Sequence, residues 1–499
     1  MVDGTAILFA VKAFWALRTI IISNMKNTAR TLFTIAAICV FADPGVATAA
    51  NALTHEYLIT VDATMSSMQV EASFGAPVQA LTARSSDARN FIRDVRNCDD
   101  DTRIRMRDGR MRLPEKGLSC LRYSVNLKKA AAAERRNASL SDRNIIVSPA
   151  AWFWRPEQRG NEQIIVRFDL PESLAVSATW KPVPGERNTY RLMNSLRSSA
   201  AVAAFGEFEL VETQIPGATL SITIMQPTAE IDTDRIVDWV RATANNVVLA
   251  YGRFPNPATN VVIVPISGQR GRDDSAVIFG HVIRDGTETI ELFVDQAGPI
   301  ADYYESWIAT HEFSHLMLPY IRSRHRWMSE GFATYYQNVL MARAHQYSEE
   351  IAWQNLWEGF ERGRLSRPEL SPNGAARAGI GGATMKIYWS GTAIALMADV
   401  ELRQRSNGEE SLDSVFEKLQ ECCLPSDRSW SGTELFRKLD SLIDEPVFMP
   451  LYRQYAWAPG FPDVESLLSR LGVDVRDGNV QLQSGAPLAG IRSSIMKER

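Results

Sequence analysis

Two histidines four residues apart, His311 and His315, sit in the apolar run YESWIATHEFSHLML, with Glu312 beside the first of them. No other feature of the chain restricts its folding so tightly. The apolar residues around them recur at helical spacing, and on a helix positions i and i+4 share a face one turn apart. Two imidazoles so placed can reach one zinc ion at about 2.0–2.1 Å each. A zinc ion lowers the pKa of its bound water to about 7, and Glu312 stands where a base must take the proton as that water attacks a carbonyl. Glu330 offers a third ligand, with 14 residues between it and His315. It lies in WMSEGFATYYQNVLMARA, again apolar at helical spacing, which Ser329 could cap. A bend at Pro319 would set the two helices antiparallel, with Glu330 beside the histidines. Two histidines, a glutamate and water make the open coordination of a catalytic site rather than the closed set of a structural one. The whole chain has only 6 histidines, so an accidental match that also carries a third ligand is rare.

A chain of 499 residues is too long for one small core. The formal charge of −4 provides no field for nucleic acid, and no block of like charge reads as a basic arm. Residues 1–49 read as a leader. From Met25, a possible true start, Lys26 and Arg30 precede the apolar run Leu32 to Ala42 and the small-residue site Ala47-Thr48-Ala49. That order is a secretory signal peptide, so the mature chain is expected in the periplasm or outside the cell, with no stable membrane span. A membrane anchor over Ala6 to Ile22 is disfavoured by Lys12 and Arg18. Lipidation at Cys39 is disfavoured by the preceding Ile38. Four cysteines then remain, Cys98, Cys120, Cys422 and Cys423. Export permits disulfides, and Cys98–Cys120 is the preferred bridge among three possible pairings.

The segment 50–225 is rich in strands. YLITVDA, MQVEASF, IIVRFDL and LSITIMQ mix alternation with β-branched residues, which suggests a β-sandwich-like domain. LKKAAAAERRNASLSDRN interrupts it as a helix or insertion, and Trp152 and Trp154 in AWFWRPE read as core. The rhythm becomes helical at Thr233, with Asp232 or Thr233 as cap. A strand NVVIVPI follows, then a Gly/Arg/Asp-rich loop over Gly268 to Asp274, and then the hairpin AVIFGHVIRDGTETIELFVD, turning at Asp285-Gly286. A mainly helical catalytic domain is expected over 226–405 and a helical region over 406–499, with Ser411 and Thr433 as caps.

His-Glu-x-x-His followed by W-x-x-E-G-F-A-x-Y-Y resembles the gluzincin metallopeptidases. Downstream, IYWSGTAIALMADVELRQRSNGEESLDSVFEKL resembles their Tyr-x-Lys-Gly helix and is nearest to the glycyl aminopeptidase family, as is GFPDVESLLSRLGVDV. The resemblance covers about residues 230–475. It implies a thermolysin-like catalytic domain within an α+β multidomain chain. It also implies zinc held by His311, His315 and Glu330, Glu312 as general base, and Tyr388 as the group that stabilises the tetrahedral intermediate. The gap of 14 is shorter than in the larger aminopeptidase branch, and Ser390 replaces the usual lysine. The family strand ahead of the zinc helix carries a glutamate for a substrate's amino group. Here that stretch is Phe279-Gly280-His281, without a glutamate, although Glu288 or Glu291 could substitute. Gly280 and His281 are the candidate substrate-binding residues, and the edge strand itself can pair with an extended peptide. Many relatives end in a PDZ domain, for which this sequence leaves no room.

The expected partner is a peptide or protein substrate. A strict aminopeptidase is the rival enzyme, and a non-catalytic zinc-fold scaffold the rival class; the latter should have lost Glu312 or a ligand, and neither is lost. The remaining histidines rank lower. His325 reads as part of a solvated basic turn with Arg322, Arg324 and Arg326, a turn that could otherwise attract an acidic substrate group. His55 and His345 read as structural or exposed.

Overall fold

The computed structural model describes residues 53–498, apart from 108–109, 112, 134–142, 157–161, 193–200, 209, 227–230 and 272–273. The expected leader, with Met25 and Cys39, lies outside the described residues, as do part of the 127–144 insertion and part of the Gly268–Asp274 loop.

Alternation builds the first layer. Strand Thr54–Val61 buries His55, Tyr57, Ile59 and Val61 and turns Glu56, Leu58 and Thr60 outward, the period of two expected of a half-buried strand. It lies at the centre of a seven-stranded sheet, antiparallel to Ser67–Val78 and parallel to Gln163–Asp169. A three-stranded sheet of Asn144–Val147, Ala203–Gly206 and Ala175–Ala178 faces it. The core between them includes Trp152, Trp154, Trp180 and Phe205, all fully buried. Tyr57 and Tyr123 donate their hydroxyls to the carbonyls of Trp154 and Trp152 at 3.0 and 3.2 Å. The tryptophans of AWFW are therefore core, as read. Cys98 is bonded to Cys120, the preferred pairing, and Cys422 to its neighbour Cys423.

The other face of the three-stranded sheet (Ile146, Ala204) packs on Val262, Val264 and Ile283 of a five-stranded sheet. That sheet runs Leu210–Ile215, Ala218–Ile224, Ala258–Ile266, Glu288–Asp295, Val277–Arg284. Here the sequence reading needs correction. LSITIMQ, grouped with the β-rich segment ending at 225, pairs in parallel with Ala258–Ile266 and belongs to the second sheet. Strand rhythm identifies a strand but carries no information about its sheet, because parallel partners are set by tertiary contacts. Val277–Arg284 and Glu288–Asp295 form the expected hairpin, and Val277–Arg284 is left as the edge strand.

Helices cover the remaining face of this sheet. Thr233–Val248 is capped by the Asp232 carboxylate, which accepts from the Arg235 amide. Trp307–Ser314 is buried on every side from Ile308 onward, which is why its apolar residues do not fall on one stripe. Arg326–Arg343 and Ile380–Arg405 complete the central bundle. In the C-terminal part Ser411 caps Leu412–Cys423 as expected. Ser431, not Thr433, caps Gly432–Asp440, because Ser431 and Glu434 exchange hydrogen bonds as a capping box. A hairpin of Val473–Arg476 and Asn479–Leu482 interrupts the region read as helical. No helix among the described residues is long and apolar enough to cross a membrane.

Candidate active site

The helix Trp307–Ser314 starts at Ser306, whose hydroxyl accepts from the Ile308 amide. It presents His311 and Glu312, then tightens into a 3₁₀ turn at His315–Met317. Glu330 comes from the helix Arg326–Arg343. That helix begins one turn earlier than expected, so Ser329 is not its cap; the Ser329 hydroxyl instead lies 3.1 Å from His315 Nδ1. Glu330 Oε2 stands 3.6 Å from His311 Nε2 and 3.5 Å from His315 Nε2. Two donors at about 2.0–2.1 Å from a shared tetrahedral ion are about 3.4 Å apart, so Glu330 Oε2 stands near that spacing from each nitrogen, and all three ligand atoms lie within 4.8 Å of one another. Among the described residues no other group of three His, Cys, Asp or Glu side chains converges in this way.

The outer nitrogens fix the rings. His311 Nδ1 lies 2.9 Å from Gln337 Oε1, an acceptor, so Nδ1 carries the proton and Nε2 keeps its lone pair for a metal. Burial opposes charge on His311, yet hydrogen bonding to Glu330 and the field of Glu312 raise its pKa. Burial likewise opposes the charge on Glu330, but His315 and His311 hold its carboxyl far below the ordinary range. For Glu312 burial prevails over His315 and His311 and raises the pKa. Its Oε2 is 4.0 Å from His315 Nε2.

Tyr388 joins the group from the helix Ile380–Arg405. Its ring lies parallel to that of His311, with centroids 5.8 Å apart. Burial first, then Glu330 and Glu312, push its phenol well above the ordinary pKa, so it stays a hydrogen-bond donor. Its approach is set by two glycines. A Cβ on Gly391 would lie 1.9 Å from the Trp327 carbonyl oxygen, and one on Gly331 would lie 2.2 Å from Gly391 Cα. The two helices therefore touch backbone to backbone, one residue past Glu330 and three past Tyr388. Thr392 closes the contact by donating to the Tyr388 or Gly331 carbonyl, at 2.9 and 3.2 Å.

The edge strand separates the two candidate substrate residues. Gly280 faces the helix Trp307–Ser314, where a Cβ would come within 2.7 Å of Glu312 Cγ. His281, the next residue, points to the opposite face of the sheet. There it sits 3.1 Å from Glu291 and stacks on Phe293. It thus lies away from Glu312, and the expectation that it lines the substrate cleft does not hold. Glu291, facing the same way, cannot replace the missing amine anchor. Glu288 is tied to Arg284 at 3.2 Å.

Three positioning residues escaped the sequence reading. Arg284 donates to the His315 and Leu318 carbonyls at 2.6 and 2.8 Å, and so holds the turn after the helix Trp307–Ser314. Gln337 and Ser329 orient the two rings. Gln337 carried a signal, since it follows Glu330 by seven residues and so lies on the same helix face. His325, read as solvated, is buried and accepts from the Gly432 amide at 3.3 Å. His55 is buried and His345 exposed.

Comparison with known proteins returned no matching family model and no matching curated protein. Solved structures do match. An aminopeptidase N family protein from Idiomarina loihiensis superposes with a TM-score of 0.64 at 14% identity, covering 85% of this chain and 79% of that one. A variant of the M1 zinc metallopeptidase from Deinococcus radiodurans, bound to a Tyr-Ser-Ala substrate, gives a TM-score of 0.50 at 13% identity, covering 83% and 96%. A two-domain M1 zinc metallopeptidase variant bound to L-arginine gives 0.50 at 13%, covering 82% and 95%. The α+β multidomain fold expected from the gluzincin resemblance is thus the fold of these structures.

Proposed function

We propose that the chain is a zinc-dependent metallopeptidase that hydrolyses peptide bonds. One observation carries the proposal: His311, His315 and Glu330 converge at zinc spacing with Glu312 beside them. The donor set of two neutral imidazoles and one carboxylate fits a catalytic zinc site. Zinc held there supplies Lewis acidity, polarising the scissile carbonyl and acidifying water. The chain's own residues do the rest. The backbone of Val277–Arg284, an edge strand, can pair with an extended substrate and lay it alongside Glu312. Gly280 removes the side chain that would otherwise fill this space. Glu312 takes the proton of the attacking water and passes it to the departing amine. The Tyr388 hydroxyl donates to the oxygen on which charge develops.

A strict aminopeptidase is the second reading, favoured by the likeness to an aminopeptidase N family protein. Against it stands the strand Phe279-Gly280-His281, which lacks a carboxylate on the Glu312 side. Matched peptides with free and acetylated N-termini separate the two, since only an aminopeptidase is stopped by acetylation. Export through the leader belongs to the same proposal, and mass spectrometry of protein secreted by its host should find a mature chain beginning at Ala50.

The decisive experiment is Glu312→Gln. It should retain one zinc per chain and lose activity by about 10²–10⁴-fold. Unchanged peptide hydrolysis by this variant would sink the proposal.

A further inference from the structure

The turn RSRHR, read from sequence as solvated surface, leads directly into the helix that carries Glu330. Arg326 is that helix's first residue. Successive helical positions rotate by about 100°, so Arg326, Glu330 and Gln337 fall within about 40° of one another. Gln337 on this stripe touches His311. The half-buried Arg326 side chain therefore rises from the face that holds the metal ligands. Helical side chains also lean toward the N-terminus, which here points away from His311. The charge of Arg326 acts on the Tyr388 phenol and opposes the rise of its pKa.

Its hydrogen bonding is incomplete. Arg326 Nε donates to the Ser323 carbonyl at 3.2 Å. Among the described residues no carboxylate lies within 4.0 Å of Arg326, nor of its neighbours Arg322, Arg324 and Arg377. The contrast with other arginines in this part of the molecule is sharp: Arg284, Arg343 and Arg403 each meet an acid. Arg377 stacks on the exposed Trp457 at 4.6 Å, and the charges of Arg324, Arg377 and Arg322 all act on His325. Arg322, Arg324 and Arg377 thus gather around His325, which precedes Arg326 in the chain, and none of these four arginines forms an ion pair within 4.0 Å with a described carboxylate. A guanidinium presents a planar fork fitted to a carboxylate, and like charges in a walled cleft focus their field on an incoming anion.

We infer that Arg326 is a specificity residue that binds a substrate carboxylate close to the scissile bond, with Arg322, Arg324 and Arg377 drawing it in. The inference rests on the peptidase reading and narrows it to substrates bearing an acidic side chain or a free C-terminus near the cleavage point. Both sources present the same group, and paired peptides distinguish them: Asp or Glu against Asn or Gln, and C-terminal acid against C-terminal amide.

Two measurements test it on the full chain loaded with zinc. The first is kcat/KM on the paired peptides for the wild type, Arg326→Gln and Arg326→Lys. The carboxylate member of one pair should be preferred by about tenfold or more. Arg326→Gln should bring that ratio to near one, and Arg326→Lys should restore part of it. The second is calorimetric binding of the same peptides to Glu312→Gln, with and without Arg326→Gln, which needs no turnover. Equal rates and equal binding for both members of every pair overturn the inference and leave the peptidase reading intact. A preference that survives Arg326→Gln overturns it as well. An Arg326-dependent binding preference without cleavage by the wild type supports the carboxylate site and removes the peptidase reading.

Discussion

Tyr388 shows how much can depend on one atom. Its ring is positioned by His311 and its helix, so Tyr388→Phe should leave the fold and the metal site in place while removing a single donor. Losing one donor to a developing oxyanion costs about 2.7–4 kcal/mol. The expected result is a kcat lowered by about 100-fold or more with KM little changed, read from steady-state kinetics; a raised KM with kcat unchanged would mean that the phenol serves binding instead. On the far face of the same sheet, His281 and Glu291 make a prediction about stability. Burial pushes the Glu291 carboxyl up to about 8 from 4.5 and holds His281 down to about 4 from 6.5. Between pH 4.5 and 8 the folded chain keeps a proton on Glu291 that the unfolded chain has released, so this group's contribution falls as pH rises. Between pH 4 and 6.5 His281 acts in the opposite sense, since only the unfolded chain is protonated there. The two offset each other up to about pH 6.5. Above that Glu291 acts alone, lowering stability by about 2 kcal/mol by pH 8. Urea midpoints at pH 6.5 and pH 8 should therefore diverge in the wild type and much less in Glu291→Gln. A similar difference in both proteins would dismiss the assignment.

The contact between the Glu330 and Tyr388 helices has the least tolerance of any in the site. Gly391→Ala places a methyl group against the Trp327 carbonyl, a backbone atom that cannot swing aside. Overpacking of this kind costs about 1–3 kcal/mol, and separating the helices would draw Tyr388 away from His311. Denaturant unfolding should show the loss of stability, and kcat should fall further than the stability loss alone explains. Full activity in a folded Gly391→Ala protein would show that the close contact is not what positions Tyr388. This contact also marks the limit of what was legible in the sequence. His311, Glu312 and His315 were readable because helical spacing alone gathers them, and Glu330, on a second helix, because a bend at Pro319 and the resemblance to gluzincins brought it to them. Gly280 was readable as part of a strand, but its facing required knowing that the strand is an edge and which helix crosses it. Once Gly280 is seen to face Glu312, strand alternation turns His281 away. Arg284 could not be found at all, because it reaches His315 across 31 residues of chain. LSITIMQ failed for the same reason: its alternation is clear, but its parallel partner lies beyond the intervening helix.

Across the whole molecule, the Glu330 and Tyr388 helices are both tied to the C-terminal segment through buried charge. Arg343, at the end of the Glu330 helix, donates to Asp413 at 2.8 Å and to the Ile495 carbonyl from Nε and Nη2 at 3.1 and 2.9 Å. Asp413 accepts from Tyr336 at 2.9 Å. Asp399, on the Tyr388 helix, accepts from Tyr335 at 2.7 Å and pairs with Arg403, which also reaches Ser494. The helix Ala489–Met496 is thus fastened to the helices that supply Glu330 and Tyr388, far along the chain from the His311–His315 pair. Removing one member of a buried pair is worse than removing both, because the survivor keeps its charge without a partner. Arg343→Met should therefore destabilise the protein by about 3–5 kcal/mol, leaving Asp413 facing only Tyr336 and the more distant Arg403. Arg343→Met with Asp413→Leu should recover much of that loss, since apolar packing replaces the stranded carboxylate. Chemical denaturation of the two single variants and the double variant yields the coupling directly. A double variant no more stable than Arg343→Met would place the cost in the lost hydrogen bonds to Ile495, making the C-terminal helix, rather than the ion pair, the element that holds the two site helices together.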